Sequence, residues 1–318
     1  MLTLSSCGGR GKAMLPSVSG KAGEVIVVMD KAYWSGSLGQ CLRDHLAADC
    51  PFLPQKEPLY SLADVPPSAF SNIFQLHRNL ILCNISHQVD TAKVKFGQDV
   101  WASPQCVIRI NAPTEEEAVK IVNQNIEHII NYIETAERDR VINNTKQYQE
   151  SALRPPVIEV FGGSPYFPSG YVLKKRTDDF AWIAYETTYV NQAILIYKTP
   201  ALGTQADFQL DAMVARRNEV MKQNVPGMFD NTYMTTSTFA TPSLKFVKYR
   251  GRHFAEMRGY WEVYNDYMGG PFVSHSFYSE DGASVITVEA FVYAPKFNKR
   301  HYLRQIESLL YSWETVKK

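Results

Sequence analysis

The chain has no run approaching the ~18 consecutive apolar residues of a membrane-crossing helix, so its body is not expected to span a bilayer in that way. It also has no excess of either charge. Its 33 basic and 32 acidic residues leave a net charge of +1. No basic stripe disturbs that balance, so nucleic acid is not an expected partner. The five cysteines (Cys7, Cys41, Cys50, Cys83 and Cys106) include no C-x-x-C pair, which leaves zinc ribbons and thioredoxin-type redox chemistry without support. The seven histidines show no metal spacing. Neither a Gly-rich nucleotide loop nor H-E-x-x-H, G-x-S-x-G or an EF-hand pattern is present. No metal, cofactor or catalytic constellation is therefore expected, and binding is favoured over an enzyme.

What is present begins at the N-terminus. Leu4-Ser5-Ser6-Cys7 has the form of a bacterial lipobox, with an apolar residue and two small residues before the cysteine that takes the lipid. Residues 8 to 23 hold Gly8, Gly9, Gly11, Gly20 and Gly23 with Ser17 and Ser19, a composition that suits a tether and buries no core. Only Met1 to Ser6 precede Cys7, without Lys or Arg, so the charged and apolar regions of a secretory signal are not seen. Without Cys7, four cysteines allow two disulfides in three connectivities. The places of Cys41 on a helix face and of Cys83 and Cys106 in strand-like runs read instead as small buried thiols.

The globular part opens with Glu24 to Met29, a continuous apolar run expected of a strand covered on both faces. Ser35 is the expected cap of a helix whose apolar face is Leu38, Cys41, Leu42, His45 and Leu46, with His45 packed rather than ligating. Five prolines between residues 51 and 68 mark a connection. Asn79 to Ile85 and Gln105 to Asn111 read as strands, separated by a polar loop or hairpin. Thr114 and Glu117 form a capping box before a helix with an apolar stripe through Ala118, Val122, Ile126, Ile129, Ile130 and Ile133. Leu153-Arg154-Pro155-Pro156 marks a seam, where the proline pair argues against helix. Beyond it lie fourteen of the 18 tyrosines, a three-strand meander from Tyr171 to Tyr197, a helix near 205–223, four further strands and a final helix over 302–313.

Val107 to Pro113 leading to Ile126–Glu134 resembles Ala290 to Pro295 leading to Ile306–Glu314. This fits either a diverged duplication or two independent strand-to-helix corners. The expected fold is α+β: a tether over 1–23, a first half over 24–153 and an aromatic-rich second half over 154–318. The halves are expected side by side, each with a mostly antiparallel or mixed sheet packed by helices.

The candidate ligand or partner surface is the alternating set Glu256, Arg258, Tyr260, Glu262 and Tyr264, opposite a core face of Ala255, Met257, Gly259, Trp261 and Val263. Two carboxylates, a guanidinium and two tyrosines could hold a glycan, a peptide or an envelope protein; the plainer reading is a row of cross-strand charge pairs. A hydrolase would draw its carboxylates from Glu186, Glu256, Glu262, Asp266 and Glu289, or would use His275 with Ser276.

With its lipobox, Ala-Pro corners and aromatic strands, residues 20 to 316 resemble an uncharacterised family of Bacteroidetes cell-envelope lipoproteins, known as a domain of unknown function. The resemblance implies an exported protein anchored through Cys7 and supplies no catalytic residues. Asp90-Thr91-Ala92 also resembles the O-glycosylation acceptor of that phylum. Surface-exposed lipoproteins there often carry acids just after the cysteine. Here Arg10 and Lys12 stand in an acid-free stretch, which favours a periplasm-facing protein. An envelope hydrolase, or a cytosolic protein with an accidental L-S-S-C, are the alternatives.

Overall fold

The computed structural model describes residues 14–316, so Cys7 and its lipid attachment lie outside the described residues. The fold is α+β, and the chain divides into two compact units. The first holds residues up to Ala48 and Tyr60–Ala136; the second holds Asp49–Leu59 and the chain from Glu137 onward. By contacts the division falls inside a helix, and the proline-rich stretch after Ala48 belongs with the second unit.

In the first unit, β1 (Glu24–Val28) has four consecutive buried residues, as a strand covered on both faces requires. After it come α1 (Lys31–Ser35), α2 (Ser37–Leu46) and β2 (Ser61–Val65), which pairs parallel to β1. β2 corrects the expectation of an unstructured connection: Pro58 and Pro66 flank the strand, and an edge position tolerates prolines at its ends. Then follow α3 (Asn72–Gln75), β3 (Asn79–Ile85), β4 (Lys93–Gln98), β5 (Cys106–Ala112) and α4 (Glu115–Gln147). The sheet order is β2-β1-β3-β5-β4, with only β4 antiparallel.

Ser35 closes α1 and does not cap α2. The start of α2 is satisfied from α4, where Glu115 Oε1 accepts from the Leu38 amide at 2.9 Å and the Ser37 hydroxyl at 2.8 Å. The expected cap of α4 forms, with the Glu117 amide donating to Thr114 Oγ1 at 3.3 Å. His45 Nε2 lies 2.9 Å from Asn123 Oδ1, a packed histidine. Cys41 and Cys106 are buried and Cys50 and Cys83 half-buried, and Cys41 and Cys83 are free thiols.

In the second unit the end of α4 is followed by α5 (Arg154–Phe161) and β6 (Gly163–Ser164). The proline pair lies inside α5, against expectation, because it occupies the first turn, where amide donors have no helical partner anyway. The strands β7 (Val172–Arg176), β8 (Phe180–Glu186) and β9 (Asn191–Pro200) form the expected meander. They are followed by α6 (Leu210–Asn224), β10 (Tyr233–Thr236), β11 (Ser243–Tyr249), β12 (Arg252–Tyr264), β13 (Gly269–Tyr278), β14 (Ser284–Tyr293), α7 (Arg300–Leu310) and β15 (Glu314–Thr315).

Eight antiparallel strands form one sheet in the order β7-β8-β9-β14-β13-β12, with β10 and β11 sharing the far edge of β12. Both faces are covered. On one, α5 and α7 bury Val157, Phe161, Leu303, Ile306 and Leu310 against Ile194, Val273 and Val288. On the other, α6 buries Met213 and Met221 against Leu195, Met257, Trp261 and Phe291. The start of α7 is held by Glu57, whose carboxylate accepts from the amides of Lys299 (2.6 Å) and Arg300 (3.0 Å). The apparent repeat resolves into two separate corners, since β5 sits in a largely parallel sheet and β14 in an antiparallel one.

Candidate functional site

Glu256, Arg258, Tyr260, Glu262 and Tyr264 share one face of β12, as alternation requires, but that face is not an open surface. Glu256 is 1% exposed, because α7 lies over it with Glu307, and Tyr311 follows directly after the helix. Tyr260 is half-buried; its hydroxyl donates to the Leu53 carbonyl at 3.0 Å and its ring meets Phe52 at 5.8 Å. Glu262 is half-buried, and Tyr264 is exposed, stacked on Tyr233 at 5.0 Å.

Glu256 is the hub of a buried network. Its Oε1 accepts from Arg258 Nε at 2.8 Å and lies 3.0 Å from Lys245 Nζ. Its Oε2 accepts from the Tyr311 hydroxyl at 2.7 Å and lies 3.2 Å from His275 Nε2. Arg258 also forks onto Glu307. Burial opposes ionisation of Glu256, but Arg258, the His275 hydrogen bond and Lys245 outweigh it and hold the carboxyl well below the usual range. His275 is wholly buried, and that desolvation lowers its pKa despite Glu256. The neutral ring therefore gives Nε2–H to Glu256, which leaves Nδ1 as a buried acceptor without a partner.

The His275 ring is stacked on Phe254 at 4.0 Å and meets the edge of Tyr311 at 4.6 Å, so no substrate atom reaches it. Ser276 follows it on a strand and so faces the other side of the sheet, where its Oγ lies 2.8 Å from Thr287 Oγ1. The His275–Ser276 pairing is thereby overturned. Glu256 and Glu289 also fall on opposite faces, since β13 pairs Glu256 with His275 and Glu289 with Ser274. They cannot flank one glycosidic bond.

On the α6 face, Glu289 and Arg217 form a bidentate pair at 2.7 and 2.9 Å, both fully buried. Arg217 also donates to Thr236 Oγ1 at 3.0 Å and lies over the Phe272 ring at 4.0 Å. This pair fastens α6 to the sheet.

Beside it, at the end of α6, is a cavity of about 170 Å³. Its walls are Trp182 from β8, Asn191 from β9, Met234 from β10, Trp261 and Val263 from β12, Phe291 and Tyr293 from β14, residues Val225 to Met228 after α6, and Met268 from the β12–β13 turn. None of them is charged. Trp261 is fixed by donating to the Val292 carbonyl at 3.3 Å and by edge contact with Phe291 at 5.2 Å. A side chain at position 270 would put its Cβ 2.2 Å from that carbonyl, so Gly270 makes the bond possible.

Two polar atoms of the wall, Trp182 Nε1 and Asn191 Oδ1, are buried without a hydrogen-bond partner. Asn191 is oriented by Nδ2, which donates to Glu186 Oε1 at 3.1 Å. Met228 at the wall is 80% exposed, and Phe229 and Tyr267, next in sequence to wall residues, are 66% and 105% exposed. Two larger grooves, of about 390 and 430 Å³, are lined partly by charged residues, Glu159, Lys198 and Asp281 in one and Asp179, Arg216 and Glu219 in the other. In the first, Lys198 already donates to the Val160 carbonyl, and Glu159 pairs with Arg176.

A family model described as a domain of unknown function, DUF4837, matches residues 151–312, just over half of the chain. The chain belongs to the DUF4837 family. A second domain of unknown function, DUF8532, matches residues 18–146. No curated protein matches the chain. Among solved structures, the Ran-binding protein Mog1p of Saccharomyces cerevisiae is similar at 8% identity and TM-score 0.31, over 49% of this chain and 90% of its own. A Bacteroides thetaiotaomicron protein is similar at 13% identity and TM-score 0.26, over 49% and 46%. Human STARD10 is similar at 11% identity and TM-score 0.24, over 44% and 67%. The DUF4837 match holds every wall residue of the cavity.

Sequence reasoning placed Trp261 and Val263 in the core and left the cavity unseen. The available signal was Trp182, Trp261, Phe291 and Tyr293 on neighbouring strands. Only the register, with Trp182 opposite Leu195 and Tyr293 opposite Asn191, brings them together.

Proposed function

We propose that this DUF4837 protein is an exported binding protein, held at a membrane of the cell envelope by a lipid on Cys7 and facing the periplasm, whose second unit takes a ligand in the aromatic cavity. The observation that carries the binding reading is an uncharged wall of Trp, Phe, Tyr and Met that contains two buried, unpaired polar atoms. Such walls with a few placed polar groups are the usual form of small-ligand sites. The lipobox, the Gly-rich tether and the family resemblance support the anchor. The hydrolase reading loses its support with His275 closed in and the buried glutamates on opposite faces.

Toluene is a suitable first probe, because an apolar cavity of ~150 Å³ accepts benzene. Titration of protein with ¹³C-labelled methionine methyls is expected to move Met228, Met234 and Met268 saturably. Unmoved methyls would overturn the cavity reading. Labelled palmitate is expected to enter wild-type protein and not Cys7→Ala in the native host; equal labelling of both would overturn the anchor.

A further inference from the structure

We infer that the group bound in this cavity is an apolar, ring-sized side chain of a peptide, held together with its own backbone amide; the inference rests on the binding reading above. Size sets the first limit. About 170 Å³ accommodates one ring, close to the ~150 Å³ that takes benzene. Charge sets the second. The wall holds no acidic or basic side chain, so a phosphate, carboxylate or ammonium would enter unpaired at high cost.

Hydrogen bonding sets the third. The unpaired atoms are one donor, the Trp182 indole N–H, and one acceptor, the Asn191 carboxamide oxygen. Their roles are fixed, since an indole nitrogen only donates and Asn191 Nδ2 is committed to Glu186. A peptide amide offers one C=O and one N–H, the complementary pair. A sugar ring presents several hydroxyls, for which this wall has too few partners.

The register puts both atoms on the same face of the sheet. Trp182 stands opposite Leu195, and Asn191 lies four positions before Leu195 on the same strand, so alternation sends both side chains to the α6 side. On that face Ala193 stands between Asn191 and Leu195 and is directly opposite Ala184. This pair of smallest side chains keeps the face low between the two polar groups.

The test compares four probes by the same methionine-methyl titration: toluene, N-acetyl-L-phenylalaninamide, N-acetylglycinamide and phenyl β-glucoside. The capped phenylalanine amide is expected to bind at least about fivefold more tightly than toluene, as two modest net hydrogen bonds provide. The glycine amide, lacking a ring, is expected not to bind.

In Trp182→Phe and in Asn191→Ala, the ratio of amide affinity to toluene affinity is expected to fall by about threefold or more. Retained toluene binding shows that the variant is folded and its cavity intact. An amide no tighter than toluene overturns the inference and leaves the cavity reading standing. A glucoside at least as tight as the amide overturns the peptide assignment. Failure of toluene itself overturns the reading beneath.

Discussion

The two faces of the eight-stranded sheet bury charge in different ways. On the α7 face, Glu256 gathers Arg258, Lys245, Tyr311 and His275, and Arg258 passes to Glu307. On the α6 face, Glu289 is held by Arg217, which also reaches Thr236, and a cavity opens beside them. A carboxylate with several donors loses only part of its support when one is removed. Without Glu289, Arg217 keeps only the Thr236 hydroxyl as an oxygen acceptor and is left as a buried, uncompensated charge. Redundant charge belongs to a face built only to pack. The α6 face concentrates its polar cost in one clasp and leaves aromatic wall free beside it.

The largest expected effect breaks the clasp. Glu289→Gln strands the Arg217 guanidinium and is expected to cost about 3–5 kcal/mol of unfolding free energy, read from urea denaturation. Glu256→Gln leaves Arg258 paired with Glu307 and is expected to cost less, about 1–3 kcal/mol. Equal costs would erase the distinction between the faces.

Acid sharpens the comparison further. Folding lowers the His275 pKa from its ordinary 6.5. The unfolded chain therefore takes up that proton first, and stability falls as pH drops below about 6.5. Glu256, held well below its ordinary 4.5, contributes stability that is complete above that value and is lost as pH falls below it. Glu289 on the other face acts in the opposite sense, since burial pushes its carboxyl up against the pull of Arg217. His275→Gln is expected to flatten the upper limb of the stability curve, near pH 6, and to leave the limb below 4.5 in place. Denaturation midpoints between about pH 2.5 and pH 8 check this.

The smallest effect is expected at the cavity. Trp182→Phe removes a donor that had no partner, so it is expected to change stability by no more than about 1 kcal/mol. A larger loss would mean that the indole N–H is a structural bond and not a free ligand contact.

Much of the second unit was legible in the sequence. The meander from β7 to β9, the α6 segment and the closing helix carry local signals of strand alternation and helical period. The candidate face of β12 was misjudged because alternating polar residues suggest a sheet wet on one side. The warning lay in β14, where Ser284–Tyr293 runs apolar on both parities around the single Glu289. That pattern belongs to a strand covered on both faces. Glu256 is buried and Arg258 half-buried because α7, more than forty residues later in the chain, covers them. In the first unit, β2 was hidden by flanking prolines that constrain only its ends. The cavity was illegible because its walls come from five strands and two connecting segments, and no short window contains more than a few of them.

The central claim is that the α6 face is open to an apolar group and the α7 face is closed. A crystal structure of the protein under xenon pressure tests it most directly. The expected result is xenon among Trp261, Met268 and Phe291, with none against His275 and Tyr311. Xenon beside His275, or none in the aromatic cavity, would contradict the account.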